Sequence, residues 1–413
     1  MKLDSSWQTH DLPYGSTARR LPNLRHLRAV QLVGQLGSVN RAAGMMNLSQ
    51  PAVTQAIARL ETQVAPGLFI RHPTGMYATP AGQVLLGRID RAFTELDTAL
   101  NAISAGGNRP QADIQLKAVQ LDALAALVHA SGIAEAAGSL GITPTAFKRN
   151  INTLEARLDV PLVFRDGNRI RLTRFGDVLA RAARIVQREI ELAQDEIASA
   201  DGRLTGRLSI GALPLARSYI VPKAMIEVGT RHPQVRLRLV EGSYEFLLDL
   251  LRRGDIDLFV GTLREPAPVD DVSETKLFDD QLCVVGRTDH PLAGTQGLTL
   301  ERVMAYPWIA PRLGSPARRE FDLMLARAVT SPPQIFEVAS HMSVRTILQE
   351  SDSLALVSRR QIRYEERNGQ LLVLSDSLAS GTRSIGYTMR ARSLPTRVTQ
   401  EFLDALGRAA KDD

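Results

Sequence analysis

Between Ser38 and Glu61 the apolar positions step in a way that marks two short helices and a tight turn. Val39, Ala42, Ala43 and Met46 lie at i, i+3, i+4 and i+7, a narrow stripe of small residues on a first helix. Asn47-Leu48 turns the chain. Ser49 then caps a second helix with Pro51 in its first turn, and Val53, Ile57, Leu60 and Val64 continue at i, i+4, i+7 and i+11. The opposite face of that second helix is polar: Gln50, Thr54, Gln55 and Arg59. Small residues let the two helices cross closely, which leaves the second one proud of the surface where a DNA major groove accepts it; an ordinary helical hairpin is the alternative. Next come Leu68-Phe69-Ile70-Arg71, a turn at Thr74-Gly75, and Tyr77-Ala78-Thr79-Pro80, a pattern that predicts a two-stranded wing.

The same pattern returns. A shift of 94 positions lays Leu27–Arg71 on Leu121–Arg165 without a gap, pairing Ala42-Ala43 with Ala136-Ala137 and Ile57, Leu60 and Glu61 with Ile151, Leu154 and Glu155. Leu68, Arg71, Thr79 and Gly82 meet Leu162, Arg165, Thr173 and Gly176. In the second copy, Ile133, Ala136, Ala137 and Leu140 stripe one helix and Phe147, Ile151, Leu154 and Leu158 the next. Each copy leads into a long helix: Leu86, Ile89, Phe93, Leu96, Leu100 and Ile103 in the first, and Leu179, Ala183, Val186, Ile190, Ala193 and Ile197 in the second, both stepping by threes and fours. Such seams suit a partner helix, so dimerisation helices are expected, with internal core packing as the alternative. Ser104 to Ala112, SAGGNRPQA, reads as a flexible joint between the copies.

From Gly202 onward strands alternate with helices. Arg207 to Gly211, Val235 to Val240 and Ile256 to Gly261 read as strands, with helices near Ser218 to Arg231 and Phe246 to Arg253 between them, a βαβαβ order that implies a parallel sheet with right-handed crossovers. Further on, Leu282 to Val285, Gln334 to Val338 and Leu354 to Val357 read as strands and Val344 to Glu350 as a helix. A last helix, Thr396 to Ala409, is expected to return to the first lobe.

The run formed by Ala42-Ala43, Ser49 to Thr54, Ile57, Leu60-Glu61, Leu68-Phe69, Arg71 and Thr79 to Gly82 closely resembles the winged helix-turn-helix of LysR-type transcriptional regulators. One departure is Val64-Ala65-Pro66-Gly67, where the family usually has Leu-Gly. Gly211-Ala212-Leu213-Pro214, Pro222, His232-Pro233, Glu241-Gly242, Leu250-Leu251, Arg253 to Leu258 and His290-Pro291-Leu292 resemble the effector domain of the same family. The Gly-Ala-Leu-Pro and Val-Glu-Gly wording looks closest to regulators of galactose-binding-protein and aromatic-acid catabolic operons. In the family the linker helix pairs two subunits.

The fold class expected is therefore multidomain: two all-α winged helix-turn-helix domains with long linker helices (21–105 and 113–201), then an α/β two-lobed periplasmic-binding-protein-like effector domain (205–413). Its first lobe is expected at about 205–280 and 388–413 and its second at about 281–387.

Composition adjusts this picture rather than making it. The net charge of +6 and pI near 9.6 permit a nucleic-acid partner without demanding one. The charge is unevenly spread. Residues 143–174, the second copy's recognition helix and wing, hold 7 basic against 3 acidic residues, while the matching stretch 49–80 holds 2 against 1. Lys148, Arg149, Arg165, Arg169, Arg171 and Arg174 suit phosphate contact, with a solvated basic face as the alternative, whereas Gln50 and Thr54 suit base edges. The DNA-binding candidates are Ser38, Ser49, Gln50, Pro51, Thr54, Gln55, Arg71, Thr143, Thr145, Lys148, Arg149 and Arg169. Both copies are expected to touch DNA; a degenerate second copy serving only as a dimerisation spacer is the other reading.

A single cysteine, Cys283, excludes an intrachain disulfide and a Cys-rich zinc site, fits a reducing cytoplasm and reads as buried packing in its strand. No apolar run suits a membrane helix, and residues 1–20, with Trp7, His10, Asp11 and Arg19-Arg20, read as a loose arm without the apolar centre of a secretion signal. No metal-ligand spacing, P-loop or nucleophile elbow stands out, so neither cofactor, metal nor enzymatic activity is expected.

In open α/β sheets a ligand lies beyond the carboxyl ends of the strands, where helix N-termini offer free amides. That rule and the resemblance nominate Leu213, Pro214, Leu215, Ala216, Ser243, Tyr244 and Thr262 from the first lobe and Arg312, Ser315, Ser340 and His341 from the second as effector-binding. Family members often carry Ser or Thr where Leu215 and Ala216 stand. The function expected is a cytoplasmic, sequence-specific regulator with a double-stranded DNA operator, a sugar or an organic or aromatic acid as effector, itself as dimer or tetramer partner, and RNA polymerase. Effector closure of the lobes is expected to reset the spacing of the DNA-binding heads.

Overall fold

The computed structural model describes residues 20–103, 116–167, 169–199, 203–264, 266–338, 340–379 and 381–411; the expected N-terminal arm up to Arg19 and the joint Ser104 to Ala112 lie outside them. The chain forms two compact units, Met1–Arg203 and Leu204–Asp413.

In the first unit, α1 (Leu24–Leu36) starts where the Asn23 side chain accepts the Arg25 N–H and stops at Gly37, whose φ of 63° carries the chain out. The crossing pair is α2 (Val39–Met46) and α3 (Gln50–Gln63), as the apolar stepping predicts. Between them Asn47 adopts a φ of 51°, a conformation Asn tolerates. The Ser49 hydroxyl accepts the Ala52 N–H at 3.3 Å, and Pro51 sits in the first turn. The wing is β1 (Phe69–His72) paired antiparallel with β2 (Gly75–Ala78). Glu61 ties α3 to it by accepting the Leu68 N–H at 2.8 Å. Thr79 then donates to the Gly67 carbonyl at 2.8 Å and accepts the Gly82 N–H at 3.1 Å, starting the long helix α4 (Pro80–Ile103).

The same succession follows 94 positions on: α5 (Ala118–Ala126), α6 (Ile133–Ser139), α7 (Pro144–Leu158), β3 (Val163–Asp166), β4 (Arg169–Leu172) and α8 (Arg174–Ala198). Its joints repeat the first atom for atom. Gly141, in place of Asn47, has a φ of 61°; Glu155 accepts the Leu162 N–H at 2.7 Å; Thr173 donates to the Pro161 carbonyl at 2.7 Å and accepts the Gly176 N–H at 3.0 Å. A Cβ on Gly82 would meet the Leu68 carbonyl oxygen at 2.1 Å, and one on Gly176 the Leu162 oxygen at 1.9 Å. Backbone against backbone leaves only glycine at both places.

The two seams are filled from inside the chain. Ile89, Phe93, Leu96, Leu100 and Ile103 of α4 are buried in one continuous core with Leu179, Ala183, Val186, Ile190 and Ala193 of α8. Arg88, early in α4, pairs at 3.0 Å with Glu189 and at 2.9 Å with Glu196, both late in α8, so the helices run antiparallel. The expectation of a second subunit at these seams is therefore corrected: each long helix covers the other. Burying one such Leu, Ile or Phe contributes about 1.5–3 kcal/mol, which an unpaired helix would forgo. Cross-links outside the seam hold the copies further: Arg20 donates to the Leu140 carbonyl at 2.9 Å, Asp122 accepts the Leu21 N–H at 3.2 Å, and Gln194 donates to the Gln63 carbonyl at 3.0 Å.

The second unit is one mixed sheet pinched into two lobes. In the first, β5 (Gly206–Ala212) lies between parallel neighbours β6 (Val235–Glu241) and β7 (Leu258–Thr262), the βαβαβ order expected. The intervening helices are α9 (Pro214–Ser218) with α10 (Ile220–Arg231), then α11 (Tyr244–Arg252). Gly254, at φ 74°, releases the chain from α11 so that Asp257 can accept the Ser209 N–H at 2.9 Å. The long β8 (Val272–Arg287) then runs through both lobes, pairing as far as Gln281 with the returning strand and from Leu282 with second-lobe strands.

That second lobe holds α12 (Leu300–Met304), β9 (Trp308–Ala310), α13 (Pro316–Arg327), β10 (Ile335–Glu337), α14 (His341–Glu350), β11 (Leu354–Ser358), α15 (Arg363–Arg367) and β12 (Leu371–Ser375). Strands β10, β9, β11 and β8 are neighbours in that order, and β12 pairs with β8. The return strand β13 (Thr382–Arg390) joins the first-lobe sheet at its first residue, Thr382 opposite Gln281, ahead of the expected crossing at 388. The last helix, α16 (Arg397–Lys411), buries Phe402 and Leu406 in the first-lobe core beside Leu208 and Ile210. Cys283 is buried in β8, its thiol donating to the Val357 carbonyl at 3.2 Å and pushed up to about 12 by that burial.

Candidate nucleic-acid interface and effector cleft

Every DNA-binding candidate in the first unit is exposed except Ser38, which is half-buried because its hydroxyl caps α2 through the Arg41 N–H at 3.3 Å. On α3, Val53, Ala56, Ile57 and Leu60 point into the core, so Gln50, Thr54, Gln55 and Arg59 share the outer face. Thr54 donates its hydroxyl to the Gln50 carbonyl at 3.1 Å and keeps its oxygen free to accept. On α7, Phe147, Ile151 and Leu154 are buried and Thr145, Lys148 and Arg149 face out. The two outer faces differ in kind: the first turns of α3 carry amides and a hydroxyl, with Arg59 further along, whereas α7 sets the cations Lys148 and Arg149 at the positions matching Thr54 and Gln55. In the second wing Arg165 and Arg169 are exposed, while Arg171 is held by Asp166 at 2.7 Å. In the first wing Arg71 is exposed, and His72, Thr74 and Tyr77 form a local chain with oxygen contacts of 2.8 and 2.9 Å.

A cleft of about 190 Å³ opens between the lobes of the second unit. Nine of the eleven expected residues line it: Leu213, Pro214, Leu215, Ser243, Tyr244, Thr262, Arg312, Ser315 and His341. Two do not. Ala216 is fully buried in the first-lobe core because α9 turns that position inward, and Ser340 is exposed outside the lining. Three helices begin at the cleft. Ser243 caps α11 by accepting the Phe246 N–H at 3.2 Å, Ser315 caps α13 by accepting the Arg318 N–H at 3.1 Å, and His341 is the first residue of α14. Their N-terminal ends favour an anion.

Sequence reasoning missed the cations that join Arg312 there: Arg217, Arg264 and Arg383. They come from α9, the end of β7 and β13, so only the folded sheet collects them. Arg217 is engaged by Glu241 at 2.9 Å. Arg264 lies over the Tyr244 ring, 4.7 Å from its centre, and its backbone N–H donates to Glu274 at 3.1 Å. Tyr244 donates to the same carboxylate at 3.2 Å, and burial, with the Glu274 charge behind it, pushes the phenol well above its usual range. Arg383 is paired with Asp280, which also accepts the Ser358 hydroxyl. The Arg383 side chain is 9% exposed, yet its Nε is buried without a hydrogen-bond acceptor. Burial, ahead of nearby charges, lowers His341 below the usual imidazole range.

Among the described residues no cluster of three or more His, Cys, Asp or Glu side chains suits a metal ion, and no helix is long and apolar enough to cross a membrane.

Comparisons with known proteins assign a family to both units. The profile described as the LysR substrate binding domain matches residues 201–411, and that described as the bacterial regulatory helix-turn-helix protein, lysR family, matches 24–83 and again 119–177. The HTH-type transcriptional regulator GalR of Pseudomonas putida is 34% identical over 375 residues, 91% of this chain and 94% of that protein. The HTH-type transcriptional regulator PcaQ of Agrobacterium fabrum is 27% identical over 301 residues, 72% of this chain and 96% of that one. Among solved structures, ArgP from Mycobacterium tuberculosis has a TM-score of 0.58 at 20% identity, covering 72% of this chain and 98% of its own, and full-length OxyR from Pseudomonas aeruginosa a TM-score of 0.55 at 21%, covering 70% and 97%. The two solved structures bear on the fold alone.

Proposed function

The chain belongs to the LysR family of DNA-binding transcriptional regulators with an effector-binding domain, and from that premise we propose that it carries two winged helix-turn-helix heads in tandem, both of which bind DNA. It is a regulator rather than an enzyme. The observation that carries the proposal is the double match of the helix-turn-helix profile together with two exposed polar faces, on α3 and on α7. The PcaQ comparison fits: nearly all of that protein aligns, yet more than a quarter of this chain has no counterpart in it. A second copy acting only as a spacer has no use for Lys148 and Arg149 on the outer face of α7, where a helix meant to be covered would be apolar.

In this reading Gln50 and Gln55 read base edges, Thr54 assists, and Arg71 and Arg169 on the wings hold phosphates. Lys148 and Arg149 reach the groove from α7, with Thr145 beside them, while Ser49, Pro51 and Thr143 shape the helix starts and Ser38 braces α2. Self-association and contact with RNA polymerase belong to the same proposal.

For the effector we propose a compact organic anion, an aromatic or other organic acid, in preference to a sugar. The cleft volume of about 190 Å³ suits a molecule of one ring, since a cavity of about 150 Å³ holds benzene. Leu213, Leu215, Val338 and Val344 supply apolar wall, and Arg312 with the unsatisfied Nε of Arg383 supplies the recognition of a carboxylate.

Selection of DNA by the purified chain from a random pool tests the regulator reading. Enrichment of one sequence, bound with a salt slope that flattens in the Lys148→Ala, Arg149→Ala double variant, supports it. An unchanged slope would reduce the second copy to a spacer. Calorimetric titration with benzoate and with a neutral hexose separates the effector classes: heat with the acid alone is expected, and heat with the hexose alone would reverse the preference.

A further inference from the structure

The antiparallel α4 and α8 pair does more than bury a seam. Each head is joined to its long helix by the same hydrogen bonds, through Thr79 and Gly82 or through Thr173 and Gly176. Two identical joints on two antiparallel helices are related by a near two-fold axis across the pair. One chain therefore presents two recognition helices related to each other as the halves of a dyad-like DNA site are.

Charge at the seam disfavours one alternative, an α8 helix paired with a second α8. The position matching Arg88 in the second copy is Ala182, so an α8 helix paired with another α8 would bury Glu189 and Glu196 with no arginine opposite them. Pairing α4 with α8 satisfies both carboxylates. Since both helices lie in one chain, each meets the other at high effective concentration.

The two heads are also not equivalent readers. At matching positions Thr54 and Gln55 face Lys148 and Arg149, and Gln50 is replaced by Pro144. Gln makes paired hydrogen bonds to adenine N6 and N7; Arg and Lys donate to guanine O6 and N7. We propose that the two heads of one chain address a single DNA site built of unlike half-sites, an adenine-bearing half under α3 and a guanine-bearing, more strongly phosphate-clamped half under α7. This rests on the reading that both heads bind DNA.

The test uses the full chain, its selected operator, and two variants on exposed positions: Gln50→Ala, Gln55→Ala for the first head and Lys148→Ala, Arg149→Ala for the second. Footprinting should show each variant losing protection over a different half, with affinity falling about 10- to 100-fold. The two variants are then co-expressed and purified together. Because a functional pair must come from one chain, the mixture should bind no better than either variant alone; recovery of tight binding would overturn the intrachain pair while leaving the two-headed reading intact. Symmetric operators made from either half twice should bind at least about tenfold more weakly than the natural order, and equal binding would overturn the unlike half-sites. Wild-type affinity and footprint in both variants would instead remove the reading on which the inference rests.

Discussion

Arg88 offers the sharpest test of how the first unit is held together. Its side chain is 1% exposed, and it neutralises Glu189, 4% exposed, at 3.0 Å, and Glu196, 19% exposed, at 2.9 Å. In the Arg88→Ala variant Glu196 can still turn to water, but Glu189 is left as a buried charge with no partner. Removing one member of a buried pair costs about 3–5 kcal/mol. For a unit of this size that corresponds to a fall in Tm of roughly 6–20 °C. The Arg88→Met, Glu189→Met double variant removes both charges and should recover most of the loss. Calorimetry, with amide exchange followed over residues 80–103 and 174–198, reads the effect. A deficit under about 1 kcal/mol, or no recovery in the double variant, would refute the argument that this ion group is buried between the paired helices.

Three further outcomes follow from particular contacts. Burial pushes the Asp122 carboxyl up to about 6 in spite of its bonds from Gln187 and Leu21, so the charged form strains the fold and stability is lost as pH rises from 3.8 towards 6; Asp122→Asn should narrow that loss, its Tm gaining on wild type between pH 4.5 and 7.5, and a constant difference would contradict it. Gly176→Ala forces a Cβ against the Leu162 carbonyl oxygen, 1.9 Å away, and should destabilise the unit by about 1–3 kcal/mol in urea unfolding, whereas Gly138→Ala, with open space around it, should not. Arg383→Gln should weaken benzoate binding by about tenfold or more in titration while leaving any hexose response unchanged; equal binding would place the carboxylate elsewhere.

Much of the fold was legible in the sequence because its cues are local. The cap at Ser49, the turn at Asn47-Leu48, and the stripes of α3 and α7 depend on neighbours within one turn, and the 94-residue repeat doubled the pattern. What covered the long seams was not legible. An apolar face declares that something packs on it, and nothing in Leu96 or Leu100 says whether the cover is a second chain or the helix 94 positions on. Arg88 stands beside Ile89 of that stripe, but its meaning required Glu189 and Glu196 alongside. The cleft divided in the same way. Residues at strand ends, such as Ser243 and Thr262, were found by a topological rule, whereas Arg217, Arg264 and Arg383 were not, because they come together only through the sheet order that sets β13 beside β7. Ala216 failed for a smaller reason: its short side chain on α9 is wholly enclosed in the first-lobe core, whereas the longer Leu215 packs in that core and still reaches the cleft.

The most direct test of two DNA-reading heads in one chain is photocrosslinking from the recognition helices themselves. A photoreactive side chain placed at Gln55 or at Lys148 in the full chain, irradiated on the selected operator, should give a crosslink from each position, on two stretches about one helical turn of DNA apart, roughly 10 base pairs. Crosslinks from Gln55 alone, or from both positions to the same nucleotides, would contradict it.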